Sequence, residues 1–367
     1  MRRGLCAAVV SAFLVMPCLN AVADDVAQPE EGALAVYLRA ERLIKISAPA
    51  ATSMESPNFP PYPEEWMRAA QDAWIANAEG RALSHQARSI EEAKWPEGNN
   101  FTYLNPLRNL ANDLGDACLY ESVRHHPANA VEIARDEMHL AELLQKSPGK
   151  SIVHTLVGAG IDSLVANRLM VITSNVALSK DDGNTAELRV RTARELIKEL
   201  LDQRDAKEQV NELVGPDGSD KDPAVDVKRI LENLNRSHGE RIFAAMSLAC
   251  HLYEFEKGSW PEKLGQLTPD YLPRVPFDPW GDGKQTYEYV LIKGGLPDGS
   301  DRPLVYSRCR SKDGLFYRID EAQFGFYQGD GSALPAKDQK QGGQFRDVTL
   351  WQPQPLAAGT PTTKTLP

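Results

Sequence analysis

The histidines are the first place to look for chemistry. The seven of them, His85, His125, His126, His139, His154, His238 and His251, form no HExxH and no HxH pattern. None has a cysteine-rich partner at metal-ligand spacing. The best constellation is Asp136, His139 and Glu142, which share one helix face at i, i+3 and i+6. A di-metal carboxylate bundle would add a second acid-x-x-His from another helix, and the chain has none, so that face reads as solvated. Adjacent His125 and His126 diverge on a turn, which leaves one of them simply exposed. The chain has no Gly-x-Ser-x-Gly elbow, and Gly158-Ala159-Gly160 lacks the dinucleotide fingerprint and sits inside a helix pattern. A thiol pair of Cys309 with a distant histidine would rest on composition alone, and Asp330 reads as a turn residue.

Those residues need elements to hold them, and the first two thirds of the chain is patterned for helix. Residues 33–46 carry Leu34, Tyr37, Leu38 and Leu43 at helical spacing. A proline-rich loop over 47–63 follows, then a helix over 64–89 with Trp66, Ala70, Trp74 and Ala78 on one face. Residues 101–123 and 128–146 read as an antiparallel helix pair about His125-His126-Pro127, with the proline in the first turn, where its missing N–H costs nothing. Ser151 is placed to cap an apolar helix running to about Leu178, in which Gly158 and Gly160 predict close approach of a neighbour. Residues 185–201 form a charged amphipathic helix, 214–223 break the pattern, and 224–257 are one long helix or two short ones divided at Gly239. The hairpins suggest a tetratricopeptide-like array but lack its signature positions, so the expectation is an irregular α-helical domain over 24–223.

Past Pro261 the composition changes. Residues 286–292, 303–309, 315–319 and 324–327 are short aromatic and β-branched runs between Gly and Asp turns, as small antiparallel strands should be. Beyond 335 the periodicity ends, and 336–367 are expected to be a disordered tail in which 345–351 could dock as an edge strand. Helix and strands are joined by a proline-rich stretch. Trp260 and Pro261 are expected to end the helix and bury an aromatic ring, while Pro273, Pro276 and Pro279 hold the chain extended. Asp278 can bond the backbone of the next turn, and Gly281 and Gly283, after Trp280, permit positive φ there.

That order, an alanine-rich helix, Gly-x-Trp-Pro, then Pro276-x-Asp278-Pro279-Trp280-Gly281, resembles the corresponding segment of type II secretion major pseudopilins. The chain is also similar to large exported proteins of planctomycete-like bacteria, in which a helical region opening on a Tyr-Leu-x-Ala helix, like Tyr37–Ala40, precedes such a module. The resemblance implies an α+β fold: a mainly α-helical hairpin domain, then a long helix and small antiparallel sheet of pseudopilin-like form over 224–335. It also implies calcium in a C-terminal loop, with Asp278, Ser307 and Asp313 as candidate ligands. Arg308, Arg310 and Lys312 bring the wrong charge to such a site. Pseudopilins begin with a prepilin cleavage site and a long apolar assembly helix; this chain does not, so filament assembly is not expected.

Residues 1–23 read as an export signal: Arg2 and Arg3, an apolar core over 5–16, and Ala21-Val22-Ala23 for the peptidase. The core is short of the ~20 residues that span a bilayer, so cleavage is favoured over an anchor. Loss of Arg2 and Arg3 with the leader would take the formal charge from −10 to about −12, which gives no electrostatic reason to seek nucleic acid or anionic lipid. Cys118, Cys250 and Cys309 would remain; one disulfide and one free thiol are open to them, but they are too few and too widely spaced for a disulfide framework. Cys118 and Cys250 are expected to be small buried apolar residues on helices.

These readings converge on an exported, non-catalytic scaffold that binds another envelope or secreted protein. Two alternatives carry their own signatures. A hydrolase with an acidic site in the helical cleft would show clustered, buried carboxyls with shifted pKa values. A calcium-stabilised secretion accessory would show oxygen ligands converging around Asp278, Ser307 and Asp313.

Overall fold

The computed structural model describes residues 32–47, 62–95, 101–147, 151–178, 186–214, 227–279, 284–293, 301–306, 318–320 and 325–327. Among them the chain is mainly helical, with short strand pairs after the last helix. It divides into two compact units, one of residues 1–124 and 129–165, the other of 125–128 and 166–367.

In the first unit, α1 (Ala33–Arg42) buries Leu34, Tyr37 and Leu38 of the four positions its spacing marked; it ends before the expected 46, with Leu43 as its half-buried C-cap. Its first N–H donates to the Glu92 carbonyl at 2.9 Å. The single helix expected over 64–89 is two, α2 (Glu64–Ala76) and α3 (Ala78–Ala87). The cause is Asn77, which leaves helical geometry at φ −100° and ψ 14°. Its buried side chain accepts from the N–H groups of Lys45 (2.8 Å) and Ile46 (3.2 Å) and donates to the Ile46 carbonyl at 2.6 Å. An asparagine that satisfies three backbone groups of the chain after α1 holds the α2–α3 junction there. Glu64 and Glu65 sit in the first turn of α2, where carboxylates suit the helix dipole, and fully buried Trp66 stacks on Tyr62 at 4.4 Å.

Helix α4 (Leu104–Val123) places Leu107, Leu110 and Leu114 in the core, with Cys118 buried beside them and in no disulfide. At the turn His125 takes a left-handed backbone (φ 62°) and is exposed, and Pro127 opens α5 (Pro127–Lys146) as its pattern required. Ser151 precedes α6 (Ile152–Leu178), and its backbone N–H donates to His154 Nδ1 at 2.9 Å, the side-chain-to-backbone half of a capping box with histidine in the usual acidic place. The other nitrogen of His154 pairs with the Tyr103 hydroxyl, while Trp95 and Phe101 flank the ring. The close approach read from Gly158 is present: a Cβ there would meet the Ala141 carbonyl oxygen of α5 at 2.8 Å.

The second unit holds the rest of α6, α7 (Ala186–Leu201), α8 (Ala206–Val214) and α9 (Val227–Lys257). α8 is absent from the sequence expectation; Asp205 starts it by accepting from the N–H groups of Lys207 (2.8 Å) and Glu208 (3.1 Å). α9 is one helix, unbroken at Gly239, because Phe243, Met246 and Leu248 bury its middle. Gly258 (φ 74°), rather than Trp260, ends it, its N–H returning to the Glu254 carbonyl at 2.7 Å.

A 3₁₀ turn, Leu264–Leu267, follows, and Tyr271 and Leu272 both donate to the Leu267 carbonyl at 2.9 Å. The chain then reverses through an antiparallel bridge of Phe277 with Thr286. β1 (Glu288–Ile292) pairs antiparallel with β2 (Arg302–Tyr306), with Val290 opposite Leu304. β3 (Arg318–Asp320) pairs antiparallel with β4 (Gly325–Tyr327). The expected leader and tail lie outside the described residues.

Candidate functional site

Asp136 is the residue around which the first unit's polar interior is organised. The helix face that carries Asp136, His139 and Glu142 was expected to be solvated, and that expectation fails at Asp136, which is 3% exposed. Helix α3 supplies the reason. His85 Nδ1 lies 3.2 Å from Asp136 Oδ1, and Arg88, just past the end of α3, reaches the same oxygen at 3.2 Å. Arg88 also pairs with Glu132 at 2.6 Å, so one guanidinium joins two acids a helical turn apart on α5.

From α1, the Tyr37 hydroxyl lies 3.1 Å from the Asp136 carbonyl oxygen, to which it can donate, and 2.8 Å from His139 Nδ1. His139 is half-buried, with a further hydrogen bond to the backbone of Ile90. Glu142, the third member expected, does not join: it pairs with Lys146 at 3.2 Å.

Burial sets the titration of this group. It pushes the Asp136 carboxyl up to about 6, against the opposing pull of Arg88 and His85. It pushes His139 down to about 4, with Arg88 adding to the effect. Glu132, more open, is also raised by burial but ends below its ordinary range because Arg88 and Arg135 both bond it.

A second set of acids lies on α1 and α4. Burial drives Asp113 up to about 7; a hydrogen bond from Ser47 opposes this, and the charges of Asp116 and Glu41 add to it. Glu41 is raised as well, again by burial first. Asp113 and Asp116 line a cavity of about 10 Å³ with Asn77, Trp74 and Arg81. That is room for one water molecule. The Arg81 guanidinium lies over the Trp74 ring, 3.7 Å from its centre, and burial lowers it to about 10.

The remaining sequence candidates separate. Asp278 is buried, and its backbone N–H donates to the Gln285 carbonyl at 2.9 Å; the turn its side chain was expected to bond lies outside the described residues. Ser307 and Asp313 lie outside the described residues, as do Trp280 and Gly281. Pro261 and Pro276 are buried and Pro279 half-buried; Trp260, expected to be buried, is half-buried, its ring set edge-on to His251 at 5.1 Å. Among the described residues, no three His, Cys, Asp or Glu side chains are grouped to hold a metal ion. His85 and Arg88 carry no motif, their i, i+3 spacing being the local hint that α3 presents a polar pair to a partner; the sequence marks Tyr37 as an apolar-face position and as the start of the Tyr-Leu-x-Ala helix, neither of which points to its hydroxyl.

No family model matches the chain, and no curated protein or solved structure matches it.

Proposed function

We propose that this chain is an exported, non-catalytic scaffold that binds another envelope or secreted protein, its helical part carrying a pseudopilin-like α+β module. The observation that carries the binding reading is an aromatic–arginine patch on α2, α3 and α4. Trp74 and Tyr120 have ring centres 6.0 Å apart; Arg81 covers the first, and the Arg124 guanidinium lies 5.4 Å from the centre of the second. Beside them Ile75 is 67% exposed, the most exposed large apolar residue described. Tyr120 itself is buried and Trp74 and Arg81 are half-buried, so the surface they support is presented by Arg124 and Ile75, with arginine over aromatic rings held in place before docking, which limits the entropy lost. Support for the module comes from the order α9, Gly258, Trp260-Pro261, 3₁₀ turn, Asp278 turn and β1–β2 hairpin. No described helix is long and apolar enough to cross a membrane.

The test is a photo-cross-linking residue at position 75 or 124, used in intact envelopes of the producing cell. A discrete adduct that disappears when Trp74→Ala is added supports the reading. No adduct from either position overturns it.

A second reading has its own observation. Asp113 holds its proton near neutrality beside Asp116 and Glu41, and such a protonated carboxyl beside another acid is how hydrolases obtain a general acid. The water-sized cavity there ranks it second, because a substrate site needs hundreds of Å³. Hydrolysis of chromogenic esters or glycosides that Asp113→Asn abolishes, with the melting temperature preserved, would move it to first.

A further inference from the structure

His85 and Asp136 meet as an open imidazole and a buried carboxylate. The His85 side chain is 56% exposed, whereas Asp136 is buried. Nδ1 of the ring faces both carboxylate oxygens, Oδ1 at 3.2 Å and Oδ2 at 3.4 Å. Arg88 reaches Oδ1 at 3.2 Å, which sets a cation against the same acid. An ionised carboxylate can only accept, so Nδ1 must carry the proton of the neutral imidazole. The lone pair then lies on Nε2, across the ring from the buried partner and on the edge left to solvent. A buried acid that claims one ring nitrogen fixes both the orientation of the other and its readiness to share electrons.

The neighbours decide what such a nitrogen takes. A metal ion wants further ligands and no cation beside them. Among the described residues no three His, Cys, Asp or Glu side chains are grouped, and Arg88 brings positive charge. A carbon electrophile needs neither condition. We propose that His85 is a site of acylation, its Nε2 attacking activated carbonyl groups such as anhydrides and esters of good leaving groups, with Asp136 as the positioning residue.

In that step the Nε2 lone pair forms the N–C bond while the bond to the leaving group breaks, and the leaving group departs as its anion with the electron pair. The product is an acyl-imidazolium that keeps its proton on Nδ1, and its positive charge sits against Asp136, already within hydrogen-bond reach. Water then adds to the acyl carbon, the N–C bond breaks with its electrons returning to Nε2, and the acid formed gives its proton to solvent. The positioning acid is itself held: Tyr37 Oη lies 3.1 Å from the Asp136 carbonyl oxygen, and Arg88 joins Asp136 to Glu132. The acylation does not rest on the binding reading above and stands or falls without it.

Diethyl pyrocarbonate, an anhydride that transfers an ethoxycarbonyl group, tests this on the full chain at about pH 8, with modified peptides quantified by mass spectrometry. His125, also exposed but on a turn, is the internal reference. His85 should react about tenfold faster than His125. In Asp136→Asn, Arg88 draws the amide oxygen and leaves the amide NH₂ facing Nδ1, which moves the imidazole proton to Nε2. The His85 rate should then fall by about tenfold or more, with His125 unchanged. Equal wild-type rates at the two histidines, or an unchanged His85 rate in a folded Asp136→Asn, overturns the proposal. Nitrogen NMR of the wild-type His85 ring needs no variant to fold. Nδ1 should read as protonated and Nε2 as bare, and the opposite tautomer overturns the proposal equally.

Discussion

Replacing Gly158 by alanine should destabilise the first unit, although alanine is the better helix former. In a free helix the change would gain about 1 kcal/mol. Here the new methyl would lie 2.8 Å from the Ala141 carbonyl oxygen, 2.8 Å from Gln145 Cγ and 2.9 Å from Leu144 Cβ. Gln145 is buried and its Nε2 donates to Asp162 Oδ2 at 3.3 Å, so it does not yield freely, and the other two atoms belong to the body of α5. Restoring ordinary contact means moving α6 off α5 by about half an ångström along their crossing, and that opens gaps among side chains otherwise in contact. Overpacking of this kind costs about 1–3 kcal/mol, or more where backbone is struck. Because a backbone carbonyl is among the atoms struck, the upper part of that range, about 2–3 kcal/mol, applies, and against the helix-propensity gain a net loss of about 1–2 kcal/mol is expected. The control is Gly265→Ala, where a Cβ meets nothing within 4 Å, and a change within about 0.5 kcal/mol is expected. Urea denaturation followed by circular dichroism gives the midpoint and slope. A Gly158→Ala midpoint equal to or above that of the wild type, at unchanged slope, would refute the reasoning, because the propensity gain would then stand unopposed.

Asn77→Ala should cost about 2–3 kcal/mol, because it strips two N–H groups and one carbonyl of Lys45 and Ile46 of their partner; a loss under 0.5 kcal/mol on denaturation would show that water replaces the side chain freely. Buried His251 is held down to about 4, so the stability it protects is present above pH 6.5 and lost as the pH falls toward 4. His251→Phe, which keeps an aromatic ring against Trp260, should reduce the stability lost between pH 7 and 4.5 by about 2 kcal/mol, and an unchanged pH dependence counts against the assignment. Calcium should shift the melting temperature by less than about 1 °C relative to EDTA, given Arg308, Arg310 and Lys312 between Ser307 and Asp313; a shift of several degrees would restore the calcium-stabilised accessory reading.

What could be read ahead of the structure was whatever one helix or one turn decides by itself. Tyr37, Trp66 and Ala70 are buried because apolar residues recur on one face of each helix, and Pro127 begins α5 because its ring suits a first turn. The failures begin where a side chain answers to a distant part of the chain. Nothing local marks Asn77 as a helix break; its neighbours are good helix formers, and the break is held by backbone groups some thirty residues earlier. Gly239 looked like a division of α9 for the opposite reason, since the local cost of a glycine is real but small beside the burial of Phe243 and Met246 on the same helix. Asp136 shows the limit most clearly. Counted along α5 alone, acid, histidine and acid on one polar stripe should face water. The stripe is dry at Asp136 because α3 brings His85 and Arg88 and α1 brings Tyr37, none of which the spacing on α5 can foresee. A buried carboxyl needs such partners, so its presence in a sequence asks a question that only the neighbouring helices answer. For the same reason the residues worth changing first are His85 and Arg88: they turn a polar stripe on one helix into a site made by three.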